Sequence, residues 1–353
     1  MILLSKLIEV FESDLLNRYG HRLLPSHRRA LAAMKQCRTA SSPMMLTQCL
    51  ACEAQALLPH SCGHRLCPHC QHYESQRWLE RQQQKLLPVD YFMITFTLPA
   101  QMRSLAWCQQ RLIYDLLFRI SWEVLNSFGL NDKQLKGKLG ATGVLHTHSR
   151  KLSFHPHVHM IVPAGALDTK QRLWRKKKAK YLFNQSNLAK VYRAKWLQAL
   201  KENDLKVIAT LPKDWVVDCQ HVGTGNQALT YLGKYLYRGV LSERNILSVQ
   251  EGQVTFRYTE NTGAVKTRTL PGADFLWLLL QHVLPRGFRR ARDYGFLHAN
   301  SKALIQLIQL LFQVTIQAIK QTSRAPIVCQ HCGAEMVVIA TRIRVQQAAF
   351  ASP

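Results

Sequence analysis

Acidic residues are scarce in this chain: its 353 residues include 21 Asp and Glu against 47 Lys and Arg. The chain also lacks the low apolar content that is typical of disordered proteins, because 47% of its residues are hydrophobic. The sequence is therefore long and apolar enough for two or three packed units. The net charge of +26 is spread along the chain, and it indicates a polyanionic partner, with nucleic acid favoured over an acidic membrane surface.

Long uninterrupted hydrophobic runs are also missing. The opening segment MILLSKLIEVFESDLL mixes charged residues among the apolar ones and has no small-residue cleavage site. This pattern predicts an amphipathic helix rather than a signal peptide. The best candidate for a membrane span, residues 304–319, places four glutamines on one helical stripe, which would put their amides in lipid. We therefore expect a soluble protein of the cytoplasm.

Without an export signal, the cysteines are expected to be reduced, and their spacing is typical of zinc ligands. Six of the ten cysteines form three Cys-x-x-Cys pairs: Cys49 and Cys52, Cys67 and Cys70, Cys329 and Cys332. The first two pairs are predicted to surround one structural Zn²⁺, which leaves no open position for a substrate. Cys62 is an alternative ligand, and a second ion remains open. The third pair supplies half a tetrahedron, so it either joins cysteines of the N-terminal cluster or forms an unmetallated turn.

Hydrophobic periodicity predicts strands and helices in a mixed order, which is typical of an α+β domain over about residues 88–240. Residues 91–98 alternate strictly and predict a strand, and 142–148 with 155–162 predict a hairpin. The other predicted elements are helices over 104–128, 184–203 and 227–238, the last capped by Asn226 and Gly239, and strands over 206–211, 215–219 and within 252–270.

Five of the fifteen histidines lie within fourteen residues, from His146 to His159. In a strand over 155–162, His155, His157 and His159 share one face and apolar residues share the other. Two histidines separated by one bulky apolar residue can hold a divalent ion from a rigid strand. His146 or His148 on the partner strand can supply a third ligand, so the segment predicts a metal site.

The predicted helix over 227–238 carries a polar stripe at helical spacing, formed by Gln227, Tyr231, Lys234, Tyr235 and Arg238. Tyrosine pairs of this kind are also common in plain packing interfaces. Beside a metal-binding histidine strand, however, a tyrosine oxygen is a candidate nucleophile for phosphodiester transfer. A nearby lysine helps because the ordinary pKa of tyrosine is about 10.

Two basic segments suggest where a nucleic acid binds. Residues 170–195 contain ten Lys or Arg and no acidic residue, interleaved with four aromatic residues. Cations that follow a backbone and aromatics that stack on bases suit single strands, and a merely solvated charged surface is the alternative. Arginines between 286 and 292 suit phosphates. The predicted DNA-binding residues are Arg175, Lys176, Lys177, Lys178, Lys180, Arg238, Arg289 and Arg290.

Four motifs, HPHVH, YLGKYLYR, SCGHRLCPHCQ and LPRGFRRARDYGFLHAN, together resemble the transposases of rolling-circle insertion sequences, the two-tyrosine HUH group (IS91-like). The resemblance runs in one order from about residue 40 to about residue 335. It implies that His157 and His159 are the HUH pair, with His146 as the favoured third ligand of a catalytic Mg²⁺ or Mn²⁺ and with His148 and His155 as the alternatives. It also implies that Tyr231 and Tyr235 are the two nucleophiles.

The resemblance implies an α+β fold: an HUH-endonuclease-type antiparallel sheet with flanking helices, preceded by a small zinc-binding domain and followed by a mainly helical C-terminal region. The expected divisions are an N-terminal helical segment (1–45), a zinc-binding domain and connector (46–87), a nuclease domain (88–240) and a C-terminal DNA-binding region (241–353). The expected activity is nicking and rejoining of single-stranded DNA through a 5′-phosphotyrosine. The extra Tyr237 departs from the family pattern.

The expected partners are single-stranded element ends and target DNA, in a bacterial cytoplasm and its nucleoid, with no small-molecule substrate. No G-x-x-x-x-G-K-[ST] loop is present, so strand separation is expected to need a host helicase or the replication machinery. Two alternatives share the chemistry, a replication initiator and a conjugative relaxase. An alternative of another class is a non-catalytic, zinc-dependent DNA-binding regulator.

Overall fold

The computed structural model of the protein describes residues 2–70, 72–177, 181–236, 240–260, 262–314 and 326–343, with the backbone alone at residues 72, 228, 231, 232 and 234–236. The helices are α1 (Leu4–Tyr19), α2 (Pro25–Gln36), α3 (His72–Gln83), α4 (Arg103–Cys108), α5 (Gln110–Asn131), α6 (Gln185–Glu202), α7 (Gly225–Leu236), α8 (Gly272–Leu280) and α9 (Lys302–Leu311). The first strands are β1 (Met44–Cys49), β2 (Gln55–Pro59), β3 (Asp90–Thr97), β4 (Gly140–His148), β5 (Phe154–Pro163), β6 (Gly165–Asp168) and β7 (Leu173–Lys176). The remaining strands are β8 (Val217–Thr224), β9 (Ile246–Gln250), β10 (Gln253–Thr259), β11 (Val265–Pro271), β12 (Ala291–Gly295), β13 (Ile327–Val328) and β14 (Glu335–Ile343).

A five-stranded antiparallel sheet forms the centre of the fold, in the order β12-β4-β5-β3-β8. The predicted strand at 91–98 is β3, and the predicted hairpin is β4 with β5, so the α+β class with an antiparallel sheet is confirmed. The edge strand β12 comes from beyond the expected domain limit at residue 240. Its Ala291 pairs with Val144 and its Gly295 pairs with Gly140. This sheet therefore includes a segment that the sequence assigned to the C-terminal region.

One face of the central sheet carries the largest hydrophobic core. Phe92, Ile94 and Phe96 of β3 and Val158 and Met160 of β5 all point to this face, each at most 1% exposed. Helices α5 and α6 cover these residues and contribute to the same core. Because side chains alternate across a strand, the odd-numbered residues of β3 and β5 point to the opposite face.

The opposite face, which we call the histidine face, bears His157, His159 and Ile161 at successive odd positions of β5. Ile161 packs in a smaller cluster with Leu229 of α7 and Trp78 of α3. Helices α3 and α7 also contact each other. Helix α7 and the histidines therefore lie on the same face of the sheet.

A second antiparallel sheet, in the order β13-β14-β1-β2, combines segments that are far apart in sequence. Strand β1 pairs with its neighbour β2 and also with β14. The buried side chains of Cys49, Cys329 and Met336 form its small core. The predicted zinc-binding domain at 46–87 is thus completed by residues 327–343, which sequence reasoning placed elsewhere.

Helices α1, α2 and α8 pack with the three-stranded sheet β11-β10-β9 to form a second large core. Among the described residues after 240, β9 to β14 accompany only α8 and α9. This part was expected to be mainly helical, so the expectation is corrected. The strand pair predicted within 252–270 is present as β10 and β11, whereas β9, β12, β13 and β14 were not predicted.

Two smaller expectations also differ from the structure. Residues 206–211 form no strand, and Ile208 is 100% exposed. Helix α7 begins at Gly225, so Asn226 lies inside the helix rather than at its N-cap, and Gly239 lies outside the described residues. Within the described ranges, no helix is long and apolar enough to cross a membrane.

Candidate active site

Three histidines meet on the histidine face, where β4 and β5 run side by side. His146 of β4 is the cross-strand partner of His157, and His159 lies opposite Val144. His146, His157 and His159 each bring a ring nitrogen to within 4.8 Å of those of the other two. The antiparallel register thus gathers three nitrogen ligands from two adjacent strands.

Hydrogen bonds orient two of these imidazoles. Nδ1–H of His157 donates to the backbone carbonyl of His155 at 2.7 Å, so Nε2 is left with its lone pair. Nδ1 of His159 is hydrogen-bonded to the Thr95 hydroxyl at 2.8 Å. Bonds of this kind fix the tautomer and ring orientation of metal-binding histidines. Thr95 was not predicted, although its position opposite His159 follows from the β3–β5 register.

Burial keeps the three imidazoles neutral. It lowers the pKa of His146 and of His157 well below the ordinary value, and the neighbouring His159 lowers both further. Burial also lowers the pKa of His159 to about 4. Neutral imidazole is the form that binds a metal. A set of three nitrogen donors fits a divalent transition ion better than Mg²⁺, which prefers oxygen ligands.

The two alternative third ligands lie beside this group rather than in it. The ring of His148 packs 5.2 Å from the ring of His282. His155 is hydrogen-bonded through Nδ1 to the Arg103 guanidinium at 2.9 Å. The geometry therefore groups His146 with the HUH pair, and the role of each histidine stays a prediction.

Helix α7 approaches its neighbours closely because two of its residues are glycines. A Cβ on Gly225 would lie 2.6 Å from the Leu86 side chain, and a Cβ on Gly233 would lie 2.6 Å from that of Leu79. The Ser75 hydroxyl donates to the Gly233 carbonyl at 2.9 Å. Helix α3 thus holds α7 from the side of the zinc-binding domain.

The predicted nucleophiles Tyr231 and Tyr235 lie four residues apart on α7, with Lys234 between them. At about 1.5 Å per residue, their Cα atoms are separated by about 6 Å along the helix axis. The structure describes the backbone at these three positions, and Tyr237 and Arg238 lie outside the described residues. The catalytic role of the tyrosines stays a prediction.

Four cysteines meet beside the second core, and we call them the inner cluster: Cys37, Cys62, Cys67 and Cys70. Sγ of Cys70 lies 3.4 Å from that of Cys37 and 3.5 Å from that of Cys62. Four thiolates at about 2.3 Å from a zinc ion would be separated by about 3.8 Å. The sulfur separations thus fit zinc and exceed the roughly 2.0 Å of a disulfide.

Another four cysteines meet at one end of the second sheet, and we call them the sheet cluster: Cys49, Cys52, Cys329 and Cys332. Sγ of Cys49 lies 3.4 Å from that of Cys332, and Sγ of Cys52 lies 3.7 Å from that of Cys329. These distances also fit a tetrahedral zinc site.

The predicted grouping of Cys49 and Cys52 with Cys67 and Cys70 is therefore corrected. The β1–β14 ladder places Cys49 opposite Met336, which brings in the late Cys-x-x-Cys pair. The other early pair turns instead to Cys62, the stated alternative, and to Cys37. Sequence reasoning missed Cys37 because it stands alone, directly after α2, with no second cysteine nearby.

Within each cluster, hydrogen bonds favour thiolate, the form that binds zinc, at one cysteine, while the pKa of another is raised, as at Cys62 and Cys52. The neighbouring Cys62 thiol, with Cys67, lowers the pKa of Cys37 to about 6. Backbone amides of Cys52 and Ala51 lower the pKa of Cys49 to about 6. Preformed N–H donors aimed at sulfur are a feature of metal-binding turns rather than of buried structural cysteines.

The basic run after residue 170 is partly neutralised by acidic residues from outside it. Arg175 pairs with Asp168 at 2.7 Å, and Lys177 pairs with Asp132. Lys176 is exposed. Lys178 and Lys180, also predicted to bind DNA, lie outside the described residues.

The late arginines lie close to the histidines. Arg290 donates from Nε to the carbonyl of Leu145, the residue before His146, at 3.0 Å. Arg289 is exposed beside it. Both were predicted from sequence to contact phosphates. If they do, the phosphates lie near the histidine face.

Comparison with known proteins identifies the class of protein that has this fold and these clusters. A family model described as "Putative transposase" matches residues 140–303, which contain all three clustered histidines. A second, described as "Transposase zinc-binding domain", matches residues 7–98, which contain the whole inner cluster. No solved structure matches the chain.

Two curated relatives carry corresponding names. The chain is 31% identical over 316 residues to "Putative transposase y4qJ" of Sinorhizobium fredii, covering 81% of this chain and 79% of the relative. It is 28% identical over 266 residues to the transposase for insertion sequence element IS801 of Pseudomonas savastanoi, covering 70% of this chain and 64% of the relative. The chain therefore belongs to the IS91-like family of insertion-sequence transposases with an N-terminal zinc-binding domain.

Proposed function

We propose that this transposase nicks and rejoins single-stranded DNA through a 5′-phosphotyrosine, with Tyr231 and Tyr235 as nucleophiles. The observation that carries the proposal is the shared face: α7, which bears both tyrosines, packs through Leu229 on the same side of the sheet as His157 and His159. A nucleophile and a metal-binding group on one surface can act on one phosphate.

In the proposed step, the hydroxyl oxygen of one tyrosine attacks the scissile phosphorus. The bond from phosphorus to the 3′ oxygen breaks, the tyrosine gives up its proton, and the leaving oxygen becomes a free 3′-hydroxyl. Lys234 favours the phenolate. A divalent ion bound by His146, His157 and His159 would supply stabilisation of the charge on the phosphate.

The second tyrosine permits a second transfer without hydrolysis. Each phosphodiester is exchanged for another of similar energy, so the chemistry needs no nucleotide hydrolysis. Opening of duplex DNA is assigned to a host helicase or the replication machinery, and the protein is expected to act at the nucleoid in the cytoplasm.

The two cysteine clusters are proposed to hold one structural Zn²⁺ each. Each cluster offers four sulfurs at zinc-like separations and no open position for a substrate. The inner cluster lies where α2 leads to the connector helix α3, and α3 in turn contacts α7. Zinc in the inner cluster thus supports the helix that carries the tyrosines.

The test is cleavage of single-stranded element ends in Mn²⁺, with covalent protein–DNA adducts resolved by denaturing electrophoresis. The Tyr231→Phe and Tyr235→Phe single variants should retain some first cleavage but fail to complete transfer, and the double variant should form no adduct. Tyr237→Phe, two residues along the chain, is the matched control and should react normally. An adduct in the double variant would refute the assignment.

Loss of the metal-binding face is tested separately. His157→Ala should abolish nicking while zinc content and folding remain those of the parent, because the histidines lie apart from both cysteine clusters. Mn²⁺ should support faster nicking than Mg²⁺ at equal concentration, given the all-nitrogen donor set. A regulator without catalytic function would bind DNA in these assays and never nick it.

A further inference from the structure

A cavity of about 790 Å³ lies between α2, the loop of the inner cluster and the segment that leads into β12. Five arginines line it, and we call it the arginine pocket: Arg29, Arg65, Arg286, Arg289 and Arg290. Arg29 comes from α2 and Arg65 from the loop between two cysteines of the inner cluster. The pocket therefore belongs jointly to the zinc-binding part and to the part that bears the histidines.

The arginines give the arginine pocket a positive charge. Among the described residues, no acidic side chain lines it. Two of the arginines are fixed by backbone carbonyls: Arg65 donates to that of Phe288 at 2.6 Å, and Arg290 to that of Leu145 at 3.0 Å. Arg29, Arg286 and Arg289 are exposed. Such a lining is suited to an anion with several oxygens, because guanidinium groups bind phosphate through paired N–H donors.

The pocket adjoins the candidate active site. His282 lines it, and the ring of His282 lies 5.2 Å from that of His148. The ring of His148 in turn lies 6.3 Å from that of His146. Ala291 also lines the pocket and pairs with Val144, two residues before His146 on β4. The distance from the pocket to the histidines is thus spanned by one intervening side chain.

Apolar side chains form much of the remaining lining. Trp78, Val240, Leu284 and Pro285 contribute to it. Pockets of about 300–1,000 Å³ hold small organic ligands, so 790 Å³ accommodates one nucleotide and excludes a duplex. A lining that combines apolar side chains with arginines matches a nucleotide, which has a flat apolar base and a charged phosphate.

We propose that the arginine pocket binds one unpaired nucleotide of the DNA strand whose neighbouring phosphate reaches the histidine site. Its phosphate contacts the arginines, and its base lies against the apolar side chains. Taking a base out of a stack costs more in a duplex than in a single strand, so the pocket favours single-stranded substrates. The proposal rests on the proposed function for the identity of its ligand.

The first experiment measures binding of a fluorescent single-stranded oligonucleotide by anisotropy, without Mg²⁺ or Mn²⁺. The plot of log K against log salt should become shallower by about 0.7 in an Arg29→Gln, Arg289→Gln double variant, the change expected for one lost phosphate contact. Arg244→Gln, an exposed arginine that does not line the pocket, is the control and should shift the slope far less. An unchanged slope in the double variant overturns the proposal.

A second pair of variants keeps every arginine. Ala33 lines the pocket from α2, and Glu and Gln are similar in size and both favour helix. Ala33→Glu should weaken oligonucleotide binding by tenfold or more, on the order of 1.4 kcal/mol, whereas Ala33→Gln should weaken it much less. Equal weakening would mean that shape alone is responsible, and would overturn the anionic assignment.

An abasic scan tests for the nucleotide itself. Removing the base at one position of the oligonucleotide should weaken binding far more than elsewhere, and that positional penalty should shrink in Ala33→Glu. A penalty equal at all positions overturns the pocket. Normal position-specific binding without nicking in Mn²⁺ would instead refute the proposed function alone, so the two failures are distinguishable.

Discussion

Each cysteine cluster offers four thiol ligands, but the two clusters differ in how far apart these ligands lie in the sequence. The inner cluster closes a short stretch, since Cys37 and Cys70 are 33 residues apart. The sheet cluster joins Cys49 to Cys332, which are 283 residues apart. Loop-closure entropy grows with the logarithm of length, so the longer closure costs only about 2 kcal/mol more. A structural zinc ion supplies on the order of 10 kcal/mol, so distance along the chain does not prevent the second site.

The hydrophobic cores around the two clusters differ more than their loop-closure entropies do. Cys37 and Cys67 pack into the second large core with Leu31, Leu66 and Leu152. Cys49 and Cys329 pack in a core with few members, and Cys52 and Cys332 are exposed. We therefore expect the inner cluster to be essential for the main fold and the sheet cluster to be essential for one sheet.

The largest effect should come from breaking the inner cluster. Cys67→Ser removes a buried ligand and should reduce bound zinc from two ions to one. The loss, on the order of 10 kcal/mol, is comparable to the whole stability of a typical domain, so the second core should lose cooperative unfolding. Elemental analysis and calorimetry measure the two effects. Cys108→Ser, an exposed cysteine outside both clusters, should change neither.

Breaking the sheet cluster should have a smaller effect. The Cys329→Ser, Cys332→Ser double variant should also lose one zinc per chain, while the unfolding transition of the central sheet is retained. The β1–β14 pairing should loosen, which hydrogen exchange of the amides at residues 44–49 can detect. If this variant unfolds as completely as Cys67→Ser, the two clusters are not energetically distinct and the comparison fails.

The smallest expected effect concerns pH and the core next to the inner cluster. His27 of α2 is fully buried, stacks on Trp107 and accepts a hydrogen bond from the Leu24 amide. Burial lowers the pKa of His27 to about 4. Between pH 6.5 and 4 the unfolded chain therefore binds a proton that the folded chain does not, and stability falls as pH falls.

The size of this pH effect is on the order of 1 kcal/mol. His27→Gln should remove it, since Gln does not titrate and can still accept the amide hydrogen at the third position of the helix. Chemical denaturation at pH 7 and pH 5 compares the two proteins. An equal loss of stability in both would assign the acid sensitivity to the thiolates instead.

The histidine site could be predicted because it depends only on residues that are close together in the sequence. Alternation of residue types over 155–162 fixed which face carries His157 and His159, and a hairpin returns His146 to the same level. The cysteine grouping could not be predicted, because it depends on β14 pairing with β1 across most of the chain. Spacing identifies a Cys-x-x-Cys turn as a pair of ligands, and it contains no information about the second pair.

The edge strand β12 shows the same limit in the catalytic part. Its sequence, ARDYG, has no apolar alternation, so nothing local distinguishes it from a loop. It is a strand because β4 offers an unpaired edge and because Asp293 accepts hydrogen bonds from Thr142 and Lys85. Tertiary pairing overrides local preference at such an edge.

The 283 residues that separate Cys49 from Cys332 also impose an order in time on the newborn chain. At about 5–20 residues per second, a ribosome needs roughly 15 to 60 s to progress from the first of these cysteines to the last. The inner cluster can capture its zinc early in that interval. Cys49 and Cys52 remain reduced thiols until the late strand β14 emerges, so completion of the second sheet reports that synthesis has passed this strand.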